Sequence, residues 1–414
     1  MLASVLVCFG LVVAADAGDA GDGANAHAAA PVLAPTPYMG WNTYYGVGGV
    51  FDQQEILSVA KSLIDRGLAH SGYRIVWLDF GWASGQRTSS GALVINHGQW
   101  PNGLAWLTAW LHAHGLLAGI YTDAGRSGCY GRGVGSFGHY VQDADTFAAW
   151  GFDAVKVDFC GAGQEGFAPR PLYEQFAKAI AENSSHRPMI LNVCNFWTPG
   201  QINGKRPSLA NSSFENALWA PRIAQSWRTD TDIGSTGKIV FANVLRNLDN
   251  DARHPHAAGP GHWDDPDYLG PQLGMTGAEA QAQMTMWAIV AAPLMLGSDP
   301  RKLSPATIRM LENPQVIAID QDPLGIQGSS IRTVDNGQGQ VWVKPLRGGD
   351  RAVALLNRGG TAIRLTTSLR AIGIARAGRH LIENLWTHRS SNTVGTISAR
   401  VAPRSAFLYR VTAR

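Results

Sequence analysis

Short apolar runs alternate with amphipathic segments along most of this chain, between residues 38 and 312. Runs of about four to eight residues rich in Val, Ile, Leu and Trp are typical of buried strands, whereas apolar residues at helical spacing indicate helices. The alternation repeats through eight cycles. Strands that alternate with helices in this way predict a parallel sheet, and eight such cycles predict an α/β fold of the (β/α)₈ TIM barrel type.

The predicted elements follow directly from this pattern. Strands are expected at Tyr38–Asn42, Tyr73–Asp79, Leu116–Asp123, Ala154–Asp158, Met189–Cys194, Ala224–Asp230, His262–Asp265 and Leu294–Gly297. Helices are expected at Gln53–Arg66, Leu104–His114, Val141–Trp150, Leu172–Glu182, Gly237–Leu248, Gly277–Val290 and Pro305–Glu312. A long loop rich in Pro, Gly and Asn follows the fifth strand.

Helical spacing ends near Pro323, and the rest of the chain has strand-like runs separated by Gly-rich turns. This pattern predicts a C-terminal antiparallel β-sandwich domain. The runs are Gln340–Leu346, Arg351–Asn357, Ile363–Thr367, His380–Leu385, Val394–Ala399 and Ala406–Val411. We therefore expect a barrel over residues 31–322 and a sandwich over residues 323–414.

The first 30 residues have a different composition. Leu2 to Ala15 is an apolar run of signal-peptide length, with candidate cleavage sites at Ala15-Asp16-Ala17 and Ala26-His27-Ala28. No Lys or Arg precedes the run, so either the signal is atypical or the start codon is misassigned. The run is too short for a membrane span, which needs about 20 apolar residues. We expect a signal peptide and linker over residues 1–30, and a secreted or periplasmic protein that keeps no membrane contact after signal removal.

Acidic residues stand at the C-terminal ends of several predicted strands, where the active site of a (β/α)₈ enzyme forms. They are Asp79, Asp123, Asp158, Asp232 and Asp299. A single strand-end aspartate is often a structural ion pair or a loop cap. Repetition at corresponding strand ends instead predicts an acid-rich catalytic pocket.

Asp158 and Asp232 stand out among these acids. Lys156 lies two residues before Asp158 and therefore on the same face of the strand, where its charge favours ionisation of the carboxyl group. Asp232 follows the sixth strand on a loop that can reach over the pocket. Two carboxylates that flank one bond carry out glycoside hydrolysis, at a separation of about 5–5.5 Å in retaining and about 6.5–9.5 Å in inverting enzymes.

Composition limits the classes of ligand and partner that the protein is expected to bind. A net charge of +3 without a Lys/Arg cluster argues against nucleic-acid binding, and 14 Trp residues suit sugar faces as well as core packing. The cysteines match no zinc spacing, and no His cluster accompanies the strand-end acids, so we expect no metal and no cofactor. Cys129 and Cys160 follow neighbouring predicted strands and lie within disulfide reach, which leaves Cys194 unassigned.

Several motifs, in order along the chain, resemble glycoside hydrolase family 27, the α-galactosidases and α-N-acetylgalactosaminidases. The resemblance extends from about Pro37 to Val411. The motifs are Gly40–Thr43, Val155–Cys160, Trp227–Ile233, Gly259–Asp267, Trp287–Asp299 and Val341–Leu346.

The resemblance implies roles for individual residues. Asp158 matches the nucleophile and Asp232 the acid/base of a retaining mechanism with a covalent glycosyl-enzyme intermediate. Other matches imply contacts with the sugar: Lys156, Tyr121 and Arg228 with hydroxyl groups, Trp41 at the pocket floor, Asp79 as the first of two acids for O4 and O6, and Asp267 on the 2-hydroxyl side. Cys129 and Cys160 match a disulfide beside the nucleophile.

Three positions depart from the family pattern. Phe80 replaces the second acid of the pair, Asn195 stands in a segment that usually reads Cys-Glu-Trp, and Tyr268 replaces a Met. The loop from the fifth strand to Trp219 is also longer than usual. Because a site built to hydrogen-bond a hydroxyl discriminates strongly, these departures bear on the choice of sugar more than on the reaction.

The sequence therefore predicts a secreted retaining glycoside hydrolase, an α-galactosidase that acts on oligosaccharides or polysaccharides. Phe80 and the long loop keep a β-L-arabinopyranosidase or an isomalto-dextranase open as alternatives. A non-catalytic glycan-binding relative is a third possibility, which the presence of both acids disfavours. The oligomeric state is not predicted.

Overall fold

The computed structural model describes residues 32–131, 133–195, 215–374 and 378–413. The predicted signal peptide and linker, with Cys8, lie outside these residues, as do Phe196 and Trp197 of the fifth-strand loop. Within the described part of the chain, no helix is both long and apolar enough to cross a membrane.

In the described residues, eight parallel strands form one sheet in the order β10-β1-β2-β3-β4-β5-β6-β9. The strands are β1 (Met39–Asn42), β2 (Ile75–Leu78), β3 (Leu117–Asp123), β4 (Ala154–Asp158), β5 (Ile190–Cys194), β6 (Ser226–Arg228), β9 (Trp263–Asp265) and β10 (Leu294–Leu296). A short antiparallel hairpin, β7 (Gly234–Ser235) and β8 (Lys238–Ile239), precedes β9. Leu269, just after β9, forms a parallel bridge to Leu296, so the two edge strands are joined. The predicted barrel is thereby confirmed.

Helices occupy most connections between the strands. They are α1 (Thr43–Gly46), α2 (Gln53–Asp65), α3 (Leu104–Ala113), α4 (Tyr140–Ala149), α5 (Cys160–Gln164), α6 (Pro169–Ala181), α7 (Phe241–Asp251), α8 (Gly277–Val290), α9 (Pro305–Leu311) and α10 (Pro314–Asp320). The sequence marks several of their starts: Asp52 accepts from the Glu55 backbone N–H, and Thr276 and Glu279 form a capping box at the start of α8.

The C-terminal residues form the predicted β-sandwich, which is confirmed. Its strands are β11 (Ser329–Val334), β12 (Gly339–Pro345), β13 (Arg351–Asn357), β14 (Ile363–Ser368), β15 (His380–Asn384), β16 (Arg389–Thr393), β17 (Thr396–Val401) and β18 (Ser405–Val411). In this part of the described chain, six strands pair in the order β11-β12-β13-β18-β15-β16, and β14 pairs with β17.

The central strands β12 and β13 of the larger sheet are buried on both faces, and their side chains alternate between the two. On β12, Val341 and Val343 pack with Leu365 and Ile397 of the smaller sheet. Trp342, between them, joins the hydrophobic core that also contains the barrel. Because successive side chains of a strand point to opposite faces, one set packs inside the sandwich and the other packs in the core shared with the barrel.

Candidate active site

A small cavity lies at the C-terminal ends of the barrel strands. Its volume, with the part open to solvent included, is about 290 Å³, and it is lined by Tyr44, Asp79, Phe80, Cys129, Lys156, Asp158 and Asp232. Both candidate catalytic acids therefore face one space. Their approach is built into the sheet, because Asp158 ends β4 and Asp232 follows β6 on a loop.

Asp158 is almost completely buried, with 5% of its surface exposed. Its Oδ1 accepts a hydrogen bond of 2.8 Å from the Phe159 backbone N–H. Burial raises the pKa of Asp158 to about 8, and Lys156 opposes this shift while Asp123 and Asp79 reinforce it. Lys156 therefore favours ionisation of this carboxyl in the expected direction, but burial has the larger effect on its pKa.

Lys156 pairs with Asp79 instead of Asp158. Its Nζ donates to Asp79 Oδ2 at 2.7 Å, and Asn42 Nδ2 donates to the same oxygen at 2.9 Å. Burial by itself lowers the pKa of Lys156, but Asp79 and other neighbouring groups raise it well above its usual value. The ammonium group is therefore charged, and it lines the cavity beside Asp79.

Arg228 links the acid/base candidate, Asp232, to the buried Asp267. Its Nη2 lies 3.1 Å from Asp232 Oδ1 and 3.0 Å from Asp267 Oδ2. Arg228 and Asp267 are buried, whereas 24% of the Asp232 side chain is exposed. Asp232 thus lines the cavity with a partly exposed side chain, while its carboxylate is tied to Arg228 at the end of β6.

Asp267 is the centre of a buried network. Its Oδ2 also accepts from the Tyr45 hydroxyl at 2.5 Å and the Ile233 backbone N–H at 2.9 Å. Burial raises the pKa of Asp267 to about 6, while Arg228 lowers it. Its backbone φ is +88°, a left-handed conformation that is unusual outside glycine. Such backbone strain persists where surrounding contacts determine the conformation, as they do at this strand end.

Phe80 lies in the cavity wall, beside Asp79. Its ring centroid is 5.8 Å from that of Tyr44, in an edge-to-face arrangement. A Cβ atom on Gly49 would lie 2.5 Å from the Phe80 ring, so the backbone packs tightly behind it. An apolar face therefore stands where the family pattern has a second carboxylate.

The remaining predicted sugar-binding residues lie behind the lining residues. Trp41 is fully buried and donates from Nε1 to the Ser298 carbonyl at 2.9 Å. The Tyr121 hydroxyl donates to Cys129 Sγ at 3.1 Å, and Asn195 donates to Asn216 Oδ1. The Tyr268 ring centroid lies 5.6 Å from Lys156 Nζ. These residues support the wall, but they are not in the set that lines the cavity in the described structure.

Cys129 and Cys160 form a disulfide with a Cα–Cα distance of 4.9 Å. Ligand atoms of these two residues, Asp123 and Asp158 lie within 4.8 Å of one another. A disulfide has no thiolate to bind a metal ion. This cluster therefore offers two carboxylates and a crosslink, a poor set of donors for a metal. Cys194 is buried and outside any disulfide of the described residues.

Sequence reasoning missed several residues of the site. Tyr44 and Tyr45 belong to α1, directly after the Gly40–Thr43 motif, and Asn42 caps that helix by accepting from the Tyr44 backbone N–H. The strand-to-helix junction was a signal that could have placed them at the active-site end of the barrel. Their contacts with Phe80 and Asp267 depend on the fold.

Comparison with known proteins gives a consistent result. A family model described as "Alpha galactosidase A" matches residues 49–322, and one described as "Alpha galactosidase C-terminal beta sandwich domain" matches residues 336–411. The chain is 36% identical to an α-galactosidase of Oryza sativa subsp. japonica over 382 residues, which is 92% of this chain and 85% of that protein.

Solved structures agree with this match. An α-galactosidase I from Mortierella vinacea superposes with a TM-score of 0.81 and 27% identity, over 92% of this chain and 98% of that one. A family 27 β-L-arabinopyranosidase from Geobacillus stearothermophilus superposes with a TM-score of 0.77 and 19% identity, over 92% and 97%. The latter likeness concerns the fold alone.

Proposed function

Because this chain belongs to the α-galactosidase family and is a glycoside hydrolase, we propose that it cleaves terminal α-galactosides with retention of configuration, using Asp158 and Asp232. The observation that supports this most is the single cavity that Asp158 and Asp232 line together. A pair of carboxyl groups on either side of one bond is what the double displacement requires.

Asp158 attacks C1 of the sugar, and Asp232 gives a proton to the leaving oxygen. The covalent glycosyl-enzyme is then hydrolysed by a water molecule from which Asp232 removes a proton. Asp158 reacts as the carboxylate, so the positive charge of Lys156, which lowers the pKa of Asp158, supports the first step. The ion pair of Asp79 with Lys156 presents charged groups to sugar hydroxyls across the same cavity.

Replacing Asp158 with Ala tests the assignment. We expect turnover of an activated aryl α-galactoside to fall by at least about 10³-fold, because the covalent step loses its nucleophile. A 2-fluoro glycoside should label Asp158 in the unaltered enzyme, and mass spectrometry of peptides locates the adduct. Undiminished turnover by the variant would contradict the assignment, and the absence of any adduct would favour a glycan-binding relative.

Phe80 favours a second candidate, a β-L-arabinopyranosidase. L-Arabinopyranose has the ring hydroxyl arrangement of galactose but no exocyclic CH₂OH group. Phe80 removes one hydrogen-bond acceptor from the wall, and a sugar without that group loses little binding energy from the change. Rates on matched aryl α-galactoside, β-L-arabinopyranoside and isomaltosyl substrates separate the candidates. A strong preference for the galactoside would remove the alternatives, and Phe80→Asp should then raise that preference further.

The setting of the reaction is part of the proposal. The disulfide between Cys129 and Cys160 suits an oxidising compartment, which supports export and a secreted or periplasmic location. Oligosaccharides and polysaccharides are the substrates we expect. We also retain residue 322 as the end of the catalytic domain, since α10 ends at Asp320 and the first sandwich strand begins at Ser329.

A further inference from the structure

One face of α7 is polar and turned towards the protein. The residues at positions 243, 246, 247 and 250 have the spacing i, i+3, i+4 and i+7, which places them on one side of a helix. This face contacts the loop Thr229–Ile233, which carries Asp232. The residues of the face are Asn243, Arg246, Asn247 and Asn250.

The polar face binds successive backbone carbonyls of the loop. Arg246 Nη2 donates to the Asp232 carbonyl at 3.1 Å and to the Thr231 carbonyl at 3.3 Å. Asn247 Nδ2 donates to the Thr231 carbonyl at 2.8 Å, and Asn243 Nδ2 to the Ile233 carbonyl at 3.2 Å. The ends of the loop are held by backbone hydrogen bonds, from the Thr229 N–H to the Asp265 carbonyl and from the Val240 N–H to the Ile233 carbonyl. Between them, side chains of α7 hold the carbonyls of Thr231 and Asp232.

Asp230 fixes the guanidinium group of Arg246. Its carboxylate is fully buried and accepts from Arg246 Nε at 3.0 Å, from the Thr231 backbone N–H at 2.6 Å and from Asn250 Nδ2. A buried carboxylate needs such partners. The planar guanidinium can hold this carboxylate with Nε while Nη2 holds the carbonyls, which a lysine ammonium cannot reproduce.

We propose that Arg246 is a positioning residue that holds the acid/base carboxyl of Asp232 through the backbone of its loop. The proposal rests on the role of Asp232 given above. Arg228 fixes the carboxylate itself from β6, and Arg246 fixes the main chain from α7, so the carboxyl is constrained from two sides. Catalysis is sensitive to such placement, because a shift of about 1 Å can cost about 10²-fold in rate.

Substrates that share the hydrolysed sugar but carry different leaving groups distinguish a positioning role of Arg246 from a purely structural one. The ratio kcat/KM reports the first step, in which a poor leaving group needs a proton from Asp232 and dinitrophenolate needs little. We expect Arg246→Ala to lower kcat/KM by about 10- to 100-fold for the poor leaving groups, because it loses part of the roughly 10²–10⁴-fold that general acids supply. For dinitrophenolate we expect a loss of less than about 3-fold. Azide, which needs no general base, should restore kcat on the dinitrophenyl substrate.

Arg358→Ala is the matched control. Arg358 pairs with Asp249 of the same helix at 2.7 and 2.6 Å but belongs to the sandwich domain and does not touch the loop. It should leave kcat/KM within about two-fold of the unaltered enzyme, since exposed ion pairs contribute little. Arg246→Lys, which keeps the charge, should have a kcat/KM between those of the alanine variant and the unaltered enzyme. It provides a second test if the alanine variant does not fold.

The outcomes distinguish this inference from the proposed function. If Asp232→Ala shows the leaving-group dependence but Arg246→Ala and Arg246→Lys lower kcat/KM equally for every substrate, Arg246 is a structural residue and the inference is overturned. If Asp232→Ala itself shows no dependence on the leaving group, the acid/base assignment fails and the inference fails with it. Selective loss in both Asp232→Ala and Arg246→Ala, with azide rescue, supports the positioning role.

Discussion

Replacing Asp158 with Asn should stabilise the folded protein while it abolishes hydrolysis. Asp158 is 5% exposed, and burial raises the pKa of its carboxyl group from 3.8 to about 8. Each pKa unit corresponds to about 1.4 kcal/mol, so a shift of about four units sets a ceiling near 6 kcal/mol on the cost of ionising this group in the fold. Asn carries no charge, and its side-chain carbonyl can still accept from the Phe159 backbone N–H.

The effect has a defined direction with pH. Below about pH 4, Asp158 is protonated in both the folded and the unfolded chain, so this group causes no loss of stability there. Between about pH 4 and pH 8, the unfolded chain ionises while the folded protein retains the proton, so stability is lost as the pH rises. Asp158→Asn removes this loss, and its advantage should therefore grow across that window.

Urea unfolding at pH 4.5, 6 and 8 measures the advantage. Because water can enter the open cavity, we expect about 2 kcal/mol at pH 8, well under the ceiling, and about zero at pH 4.5. Asp232→Asn is the control, since its more exposed side chain loses less hydration on folding and should gain less. A gain that is equal at every pH, or a loss at pH 8, would refute the reasoning.

Two further predictions concern stability. Replacing Cys129 and Cys160 with Ser removes a crosslink between residues 31 apart, and should lower the free energy of unfolding by about 3–4 kcal/mol in denaturant titrations; an unchanged midpoint would contradict this. Lys344→Met should cost about 1–3 kcal/mol, because the buried Lys344 Nζ donates to the Ala288 carbonyl at 3.0 Å and its charge lowers the pKa of the buried Asp320. Thermal melts measure this, and Lys344→Met with Asp320→Asn should recover part of the loss.

The fold was largely predictable because burial imposes a simple pattern on long elements. Strand β4 and helix α8 have the predicted bounds, and the other predicted helices differ by a few residues at their ends. Strands β11 and β16 were missed because their side chains are mostly exposed, so they show no apolar alternation. Helix α10 was missed because it follows α9 after a two-residue break, and the pattern gave no reason to expect a second helix.

The residues of the candidate site were predictable only in part. An acid at a strand end can be recognised from the chain, and five such acids indicated where to look. The partner of Lys156 was not predictable, because Asp79 lies two strands away and their pairing depends on the curvature and register of the sheet. The role of α7 was hidden for a related reason: a row of Asn and Arg on a helix is typical of a solvated face, yet Asn247 is fully buried.

The two acids differ in exposure in a way that suits the proposed mechanism. Asp158 makes and breaks a bond to the sugar itself, so it benefits from a dry position that the sugar seals, and burial within the strand end provides this. Asp232 must meet both the departing group and an incoming water, so its carboxyl needs access to solvent. A loop gives that access but not rigidity. The contacts of Arg228 and Arg246 supply the missing rigidity, which is why the polar face of α7 belongs with the catalytic apparatus and not with the surface.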